Sequence, residues 1–320
     1  MPPNPTPGEI ARAAGLLRSG RVVAFPTETV YGLGANALDP SAVSRIYSVK
    51  RRPPTSPLIV HIASMEMIAL LVADWPEAAE RLTRMFWPGP LTLVVRKQPG
   101  VPEIITAGLP TVALRMPAHP VAQALIRAAR IPLAAPSANR FTELSPTTAD
   151  HVRRSLGNDV DYILDGGPCE VGIESTVLSL AGPQPVLLRP GGISRQALES
   201  VIGPIASAQE ALGHEVPMGA HPSPGMHARH YSPRTSLLLV SNGKVPERGK
   251  GIYLQHAHAA TRPAVTIQMP TAAADYAAAL YEKLHQADEA NADWIAVDLP
   301  PNEPEWEAVQ DRLHRAASAR

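Results

Sequence analysis

Residues 176–188 read Thr176-Val177-Leu178-Ser179-Leu180-Ala181-Gly182-Pro183-Gln184-Pro185-Val186-Leu187-Leu188. Two apolar runs flank a Gly/Pro-rich break, which is the pattern of an antiparallel hairpin. Upstream the pattern differs, because short apolar runs alternate with helical periodicity. Thr6-Pro7-Gly8-Glu9 is a capping box with proline at the first helical position, followed by Ile10, Ala13, Ala14 and Leu17 on one face and Gly20 to stop the helix. Val22–Phe25 is a strand run ended by Pro26, and Asp39-Pro40 opens a second helix carrying Val43, Ile46 and Tyr47. Further strands are expected at Leu58–Ile62, Leu91–Val95, Val112–Arg115, Leu133–Ala135 and Ile163–Leu164. Alternating units imply parallel pairing and the hairpin adds antiparallel strands. The fold class is therefore α/β with a mixed sheet, in a domain over residues 1–204.

Between Ile205 and Pro233 the periodicity fades, and His221-Pro222-Ser223-Pro224-Gly225 is a cluster of breakers, so 205–235 reads as a linker. Strands are expected again at Leu237–Val240, Gly251–Leu254, Val265–Ile267 and Trp294–Val297. Tyr276, Leu280 and Leu284 trace one helix face, and Trp306, Val309 and Leu313 another. Residues 236–320 form a second, smaller α/β domain.

Composition removes several classes of function. Lys+Arg and Asp+Glu are both 29 in 320 residues, so no bulk charge holds this protein to nucleic acid or a membrane. The single cysteine, Cys169, excludes internal disulfides and multi-cysteine metal sites. No apolar run approaches the ~18 residues of a membrane helix, and the N-terminus has no secretory pattern, so a cytoplasmic location is expected. Gly32-Leu33-Gly34-Ala35-Asn36-Ala37 fits a G-x-G-x-x-A pattern, but it does not directly follow its strand and lacks the ribose-binding acid, which argues against a dinucleotide site. Cys169 has no basic partner in view, and His227 and His230, spaced i, i+3 in the linker, read as exposed residues.

Cations and hydroxyls at strand ends remain. Lys50-Arg51-Arg52-Pro53 closes a helix, where cations are favoured anyway and could also clamp a polyphosphate. Arg115 and Arg189 each end an apolar strand, and Pro136-Ser137-Ala138-Asn139 follows another, with Ser145 beyond. Ligand crevices of α/β sheets lie at strand ends, so these residues point to an anionic small molecule, a nucleotide among the candidates.

Taken in order, these segments resemble a known family. Phe25-Pro26-Thr27-Glu28-Thr29-Val30-Tyr31-Gly32-Leu33-Gly34, Lys50-x-Arg52-Pro53, Ser56-Pro57-Leu58 with His61, Trp87-Pro88-Gly89-Pro90-Leu91-Thr92, Pro136–Asn139, Ser145-Pro146-Thr147, Gly172-Ile173-Glu174-Ser175-Thr176-Val177 and Leu188-Arg189-Pro190-Gly191-Gly192 resemble the YrdC-like domain. The segment Ser223–Pro233, containing His230-Tyr231-Ser232-Pro233, and the tail Asp311-Arg312-Leu313 are similar to the two-domain threonylcarbamoyl-AMP synthases. That resemblance implies a YrdC-like mixed twisted sheet, a lid in the linker and a Rossmann-like second domain. It also implies a nucleotidyltransferase that joins L-threonine, bicarbonate and ATP, with Mg2+ accompanying the triphosphate, into threonylcarbamoyl-AMP and pyrophosphate. Downstream transferase proteins would pass the threonylcarbamoyl group to tRNA.

Carried over residue by residue, the resemblance puts Thr29, His61 and Arg115 around threonine, with a hydroxyl from Ser175 or Thr176. It puts Lys50, Arg52, Ser56, Thr111, Ser137, Ser145 and Arg189 around ATP, with Lys50 and Arg52 as the catalytic clamp and Tyr231 closing over the nucleotide. Ser56 stands where the family often has Asn and Ala135 where it often has Thr, and the glycine expected after Phe141 is absent. The alternative is an RNA-binding or ribosome-maturation protein of the YrdC type, which the neutral net charge disfavours. A carbamoyl-adenylate enzyme of hydrogenase maturation would need further domains and cysteines that the chain lacks.

Overall fold

The computed structural model describes residues 4–212, 230–262 and 264–318. Ten strands build one mixed sheet: β1 (Val23–Phe25), β2 (Gly32–Asn36), β3 (Ile59–His61), β4 (Leu91–Arg96), β5 (Thr111–Arg115), β6 (Leu133–Ala134), β7 (Tyr162–Ile163), β8 (Thr176–Ser179), β9 (Val186–Arg189) and β10 (Ala206–Ser207). Their order across the sheet is β10-β9-β8-β4-β5-β3-β6-β2-β1-β7. The expected hairpin is present, with β8 and β9 antiparallel, while β3 pairs parallel with β5. The glycine-rich stretch Gly32–Asn36 is itself strand β2, antiparallel to β1. A Cβ on Gly34 would lie 2.7 Å from the Phe25 ring, so that glycine is required for ring packing against the strand.

The helices of this domain are α1 (Pro7–Arg18), α2 (Pro40–Lys50), α3 (Glu77–Phe86), α4 (Glu103–Thr106), α5 (Pro120–Ala129), α6 (Ala149–Leu156), α7 (Arg195–Ile202) and α8 (Ala208–Leu212). The capping box at Thr6 and the Asp39 cap of α2 form as the sequence leads one to expect. Strand alternation divides the core. Val22, Ala24 and Val60 pack with α2, α3 and α6 on one face, while Val23 and Phe25 pack with α1 and α5 on the other. The remainder of that second face carries Ile59, Val94, Ala113, Val177 and Leu188, and the clefts open over it.

The expected linker begins in regular structure, because Ala206–Ser207 extends the sheet parallel to β9 and α8 follows. Residues 213–229, including His227 and most of the lid motif, lie outside the described residues. The chain is described again from His230. The second domain is a four-stranded parallel sheet, β11 (Ser236–Val240), β12 (Gly251–Gln255), β13 (Val265–Gln268) and β14 (Trp294–Asp298), ordered β11-β14-β12-β13. Helices α9 (Ala273–Glu289) and α10 (Glu307–Ala317) complete it. The domains meet closely: Gly172 has φ +73°, and a Cβ there would lie 2.4 Å from the Ala278 carbonyl oxygen on α9. Val30, Leu144 and Ile173 of the first domain enter the second domain's core beside Tyr231, Tyr276 and Leu280. No helix among the described residues is long and apolar enough to cross a membrane.

Candidate active site

The parallel register of β3 and β5 sets His61 directly opposite Arg115. In β3, Ile59 and His61 are two residues apart and face the same side. The cleft they border has Gly32, Ile59 and Ala135 in its floor, and Thr27, Thr29, Arg52, Ser137, Glu174, Ser175, Arg189, His230 and Tyr231 among its walls.

At one end sits Arg115, buried, with its guanidinium spread over three partners. One terminal nitrogen donates to Thr29 Oγ1 at 2.8 Å, the other pairs with Glu28 Oε1 at 2.8 Å, and Nε donates to the Gly89 carbonyl at 3.3 Å. Burial alone would raise the Glu28 carboxyl, but the Arg115 charge and hydrogen bond hold it below its ordinary value. His61 is pushed down to about 3 by burial and by the Arg115 charge, so its imidazole is neutral at physiological pH. Among the described residues its Nδ1 has no hydrogen-bond partner. A cation, a hydroxyl and a neutral imidazole therefore converge where a small carboxylate would fit.

At the other end Arg52 and Arg189 are both buried on the wall. Arg52 donates to the Pro57 carbonyl at 3.1 Å, lies 5.6 Å from the Phe141 ring centre and, among the described residues, keeps an Nε without a partner. Burial lowers its guanidinium to about 10, which leaves it charged at neutral pH. Arg189 donates to the Ser175 carbonyl at 2.9 and 3.2 Å and to Ser175 Oγ at 3.3 Å. Ser175 Oγ also shares a hydrogen bond with Thr92 at 2.7 Å.

The structure gathers Thr29, His61, Arg115, Arg52, Ser137, Ser175, Arg189 and Tyr231 around one space. The other candidates sit elsewhere. Lys50 is fully behind the wall, and its ammonium donates to the Ser137 and Asn139 carbonyls, each at 2.5 Å, and to Asn139 Oδ1 at 3.2 Å. Burial, and then the Arg52 charge, lower it well below a normal lysine. Ser56 is buried, its carbonyl accepting from the Tyr47 hydroxyl at 3.0 Å. Ser145 Oγ donates to Glu174 Oε1 at 2.5 Å. Thr176 Oγ1 is held by the Ile193 backbone, which leaves Ser175 as the member of that pair on the cleft. Thr111 lines a separate groove with Val94, Ser179 and Leu188.

One expectation is corrected. His230 is not an exposed linker residue but is buried on the cleft wall, edge-on to Phe141 at 5.8 Å and to Tyr231 at 4.1 Å. Burial by aromatic neighbours overrides the polarity of the surrounding linker. Cys169 is buried with its thiol pushed upward, chiefly by that burial.

Glu28, Glu174 and Arg312 stand inside the quoted motifs without an expected role there, and Tyr281 belongs to none of them. Glu174 accepts from Ser145, from Tyr281 Oη at 3.2 and 3.1 Å and from Arg312 Nε at 2.7 Å. Burial would raise its carboxyl, yet Arg312 and Arg189 hold it low. A signal for Arg312 did exist: it lies three residues after Val309 and next to Leu313, on the apolar stripe of α10.

Comparison with known proteins agrees with this architecture. A family model described as "Telomere recombination" matches residues 15–191, and one described as "Threonylcarbamoyl-AMP synthase, C-terminal domain" matches residues 193–318. A threonylcarbamoyl-AMP synthase of Bacillus subtilis is 44% identical over 331 residues, spanning 98% of this chain and 94% of its own. One of Schizosaccharomyces pombe is 37% identical over 368 residues, spanning 99% and 90%. The crystal structure of Pyrococcus abyssi Sua5 complexed with L-threonine superposes with a TM-score of 0.91 at 40% identity, covering 98% of this chain and 96% of that one. Matched in both domains and along nearly its whole length, the chain belongs to the two-domain threonylcarbamoyl-AMP synthases, a family of nucleotidyltransferases.

Proposed function

We propose that the cleft binds L-threonine at its Arg115 end and ATP at its Arg52–Arg189 end, and that it joins them through bicarbonate. The observation that carries this division is the pair of buried cationic ends in one cleft, with the neutral His61 on the Arg115 side. Threonine amine and bicarbonate give a carbamate and water. A carbamate oxygen then attacks the α-phosphorus of ATP, and the α–β bond breaks to release pyrophosphate. Both partners are anionic, so the barrier is lowered by neutralisation and alignment, with no covalent nucleophile on the protein.

Arg115 with Thr29 holds the threonine carboxylate, and Ser175 supplies the neighbouring hydroxyl. Arg52, Arg189 and Ser137 receive the polyphosphate. Lys50 acts from behind by fixing the Ser137–Asn139 turn through the two carbonyls it binds. Tyr231, packed over the cleft, keeps water from the mixed anhydride.

The carboxylates nearest the cleft are committed, Glu28 to Arg115 and Glu174 to four donor contacts. Among the described residues no group of three or more His, Cys, Asp or Glu could hold a metal. The residues therefore do not fit a resident Mg2+, and the ion enters with the triphosphate as part of the substrate. The product, formed in the cytoplasm, passes to a transferase acting on tRNA.

The test is pyrophosphate release from Mg-ATP with threonine and bicarbonate supplied together, singly or not at all, alongside incorporation of labelled bicarbonate. Release and incorporation that require both substrates support the assignment. ATP cleavage indifferent to threonine would overturn it.

A further inference from the structure

Among the described residues the second domain contributes none to the cleft wall, yet it supports that wall from behind. Arg312 of α10 is 1% exposed and does not line the cleft. Its Nε donates to Glu174 Oε2 at 2.7 Å, one terminal nitrogen to the Pro190 carbonyl at 3.0 Å, and the other to Asp311 at 2.6 Å. Its guanidinium carbon lies 5.1 Å from the centre of the Tyr231 ring. Tyr281 of α9 donates to the same Glu174 carboxylate and packs 5.9 Å from Tyr231. Three of its four partners reach the cleft: Pro190 follows Arg189, Glu174 itself lines the wall, and Tyr231 is the cover, while Asp311 is its neighbour on α10. The Arg115 guanidinium is held instead by Thr29, Glu28 and Gly89 of the first domain, none of them among the hydrogen-bond partners of Arg312.

We propose that Arg312 is a positioning residue for adenylate formation, setting the ATP-side wall from the second domain through Glu174, Pro190 and the face of Tyr231. This rests on the synthase reading above and adds to it a task for the second domain. Lysine has one ammonium at the end of a flexible stem and cannot reproduce the fork that reaches a carboxylate, a carbonyl and a ring at once. A buried cation that only braced two domains would have no reason to act unequally on the two substrates.

The experiment uses the full chain and the variants Arg312→Gln, Arg312→Lys and Tyr281→Phe. Threonine-dependent pyrophosphate release gives kcat and KM for ATP, calorimetry gives the Kd for threonine, and thermal denaturation gives Tm. For Arg312→Gln we expect KM for ATP at least tenfold higher and kcat at least tenfold lower, with the threonine Kd within twofold of wild type. Arg312→Lys should recover part of the loss. Tyr281→Phe removes one hydroxyl and keeps the packing, so it serves if Arg312→Gln does not fold; we expect its KM for ATP to rise threefold or more at constant threonine Kd. A lowered Tm with unchanged kinetics, or equal losses toward threonine and ATP, would reduce Arg312 to a brace and overturn the proposal. A wild-type chain without threonine-dependent release would instead overturn the parent reading.

Discussion

Two buried arginine–carboxylate pairs flank the cleft, and they are turned opposite ways. In one, Arg115 faces the cleft while Glu28 stands behind it; in the other, Glu174 faces the cleft while Arg312 stands behind. Their lengths are nearly the same, 2.8 and 2.7 Å, and both are almost wholly buried. The first lies within one domain and presents a cation to the cleft. The second spans two domains and presents a carboxylate whose oxygens are already bonded to protein donors. Burying an ion pair returns little net stability once desolvation is counted. What each pair provides is a fixed orientation, of a binding group in one case and of a supporting wall in the other. Lys50 and Arg52 repeat the division on a smaller scale, since Arg52 faces the cleft and Lys50 holds the turn behind it.

The largest effect should come from Arg115→Ala. Truncating one partner of a buried charged pair costs about 2–5 kcal/mol, so threonine affinity should fall about 30-fold or more. Calorimetry checks this, and near-normal threonine binding would end the distinction between facing and supporting cations. Next, Arg52→Ala and Lys50→Ala should part company. Losing a charged hydrogen bond of about 1.5–3 kcal/mol, Arg52→Ala should raise KM for ATP roughly 10- to 100-fold, with only a small fall in Tm because the Pro57 carbonyl alone loses its donor. Lys50→Ala should lower Tm as well, because it strands the Ser137 and Asn139 carbonyls in the interior. A Lys50→Ala protein with normal Tm and a raised KM alone would place Lys50 on the ligand.

Acid should weaken both sides of the cleft in two stages. His61 is lowered to about 3, chiefly by burial, and His285, which donates to the Ser145 carbonyl, is lowered to about 4 by burial and by the stacked His151. Unfolded histidine binds a proton near pH 6.5 and the folded forms do not, so their stabilisation is complete above that pH and declines below it. Glu28 and Glu174, also lowered, lose theirs only as pH falls through the carboxylate range. Tm should therefore begin to fall below about pH 6.5, and His285→Asn should flatten that first stage; a Tm level down to pH 5 would contradict it.

The smallest effect concerns Thr142, which has φ +72° at the position where the family pattern leads one to expect glycine. Its carbonyl accepts from Ser232 N at 2.9 Å, next to Tyr231, and so anchors the cover to the first domain. A β-branched residue is strained there, and Thr142→Gly should raise stability by about 1 kcal/mol without changing KM for threonine. An unchanged or lowered Tm would show that the strain is not relieved by removing the side chain.

The amino-acid order by itself determined the α/β class, the hairpin, most of the strands and the starts of α1 and α2, because these follow from local periodicity and caps that need no partner. It also marked the residues of both cleft ends, as a motif set whose resemblance covers nearly the whole chain. Sequence reading left Gly32–Asn36 without a strand, since a glycine needed for packing against Phe25 looks like one needed for a cofactor. It also took His230 as exposed, since polar and proline-rich neighbours do not show that Phe141 and Tyr231 will enclose the ring. Tertiary structure alone decided which members of the motif set face the cleft. Lys50, Ser145 and Thr176 carry the right chemistry but spend it on protein partners, and Arg312 reaches Glu174 from 138 residues away. Orientation of that kind depends on burial and on contacts made only when distant segments pack, so no local pattern in the chain can encode it.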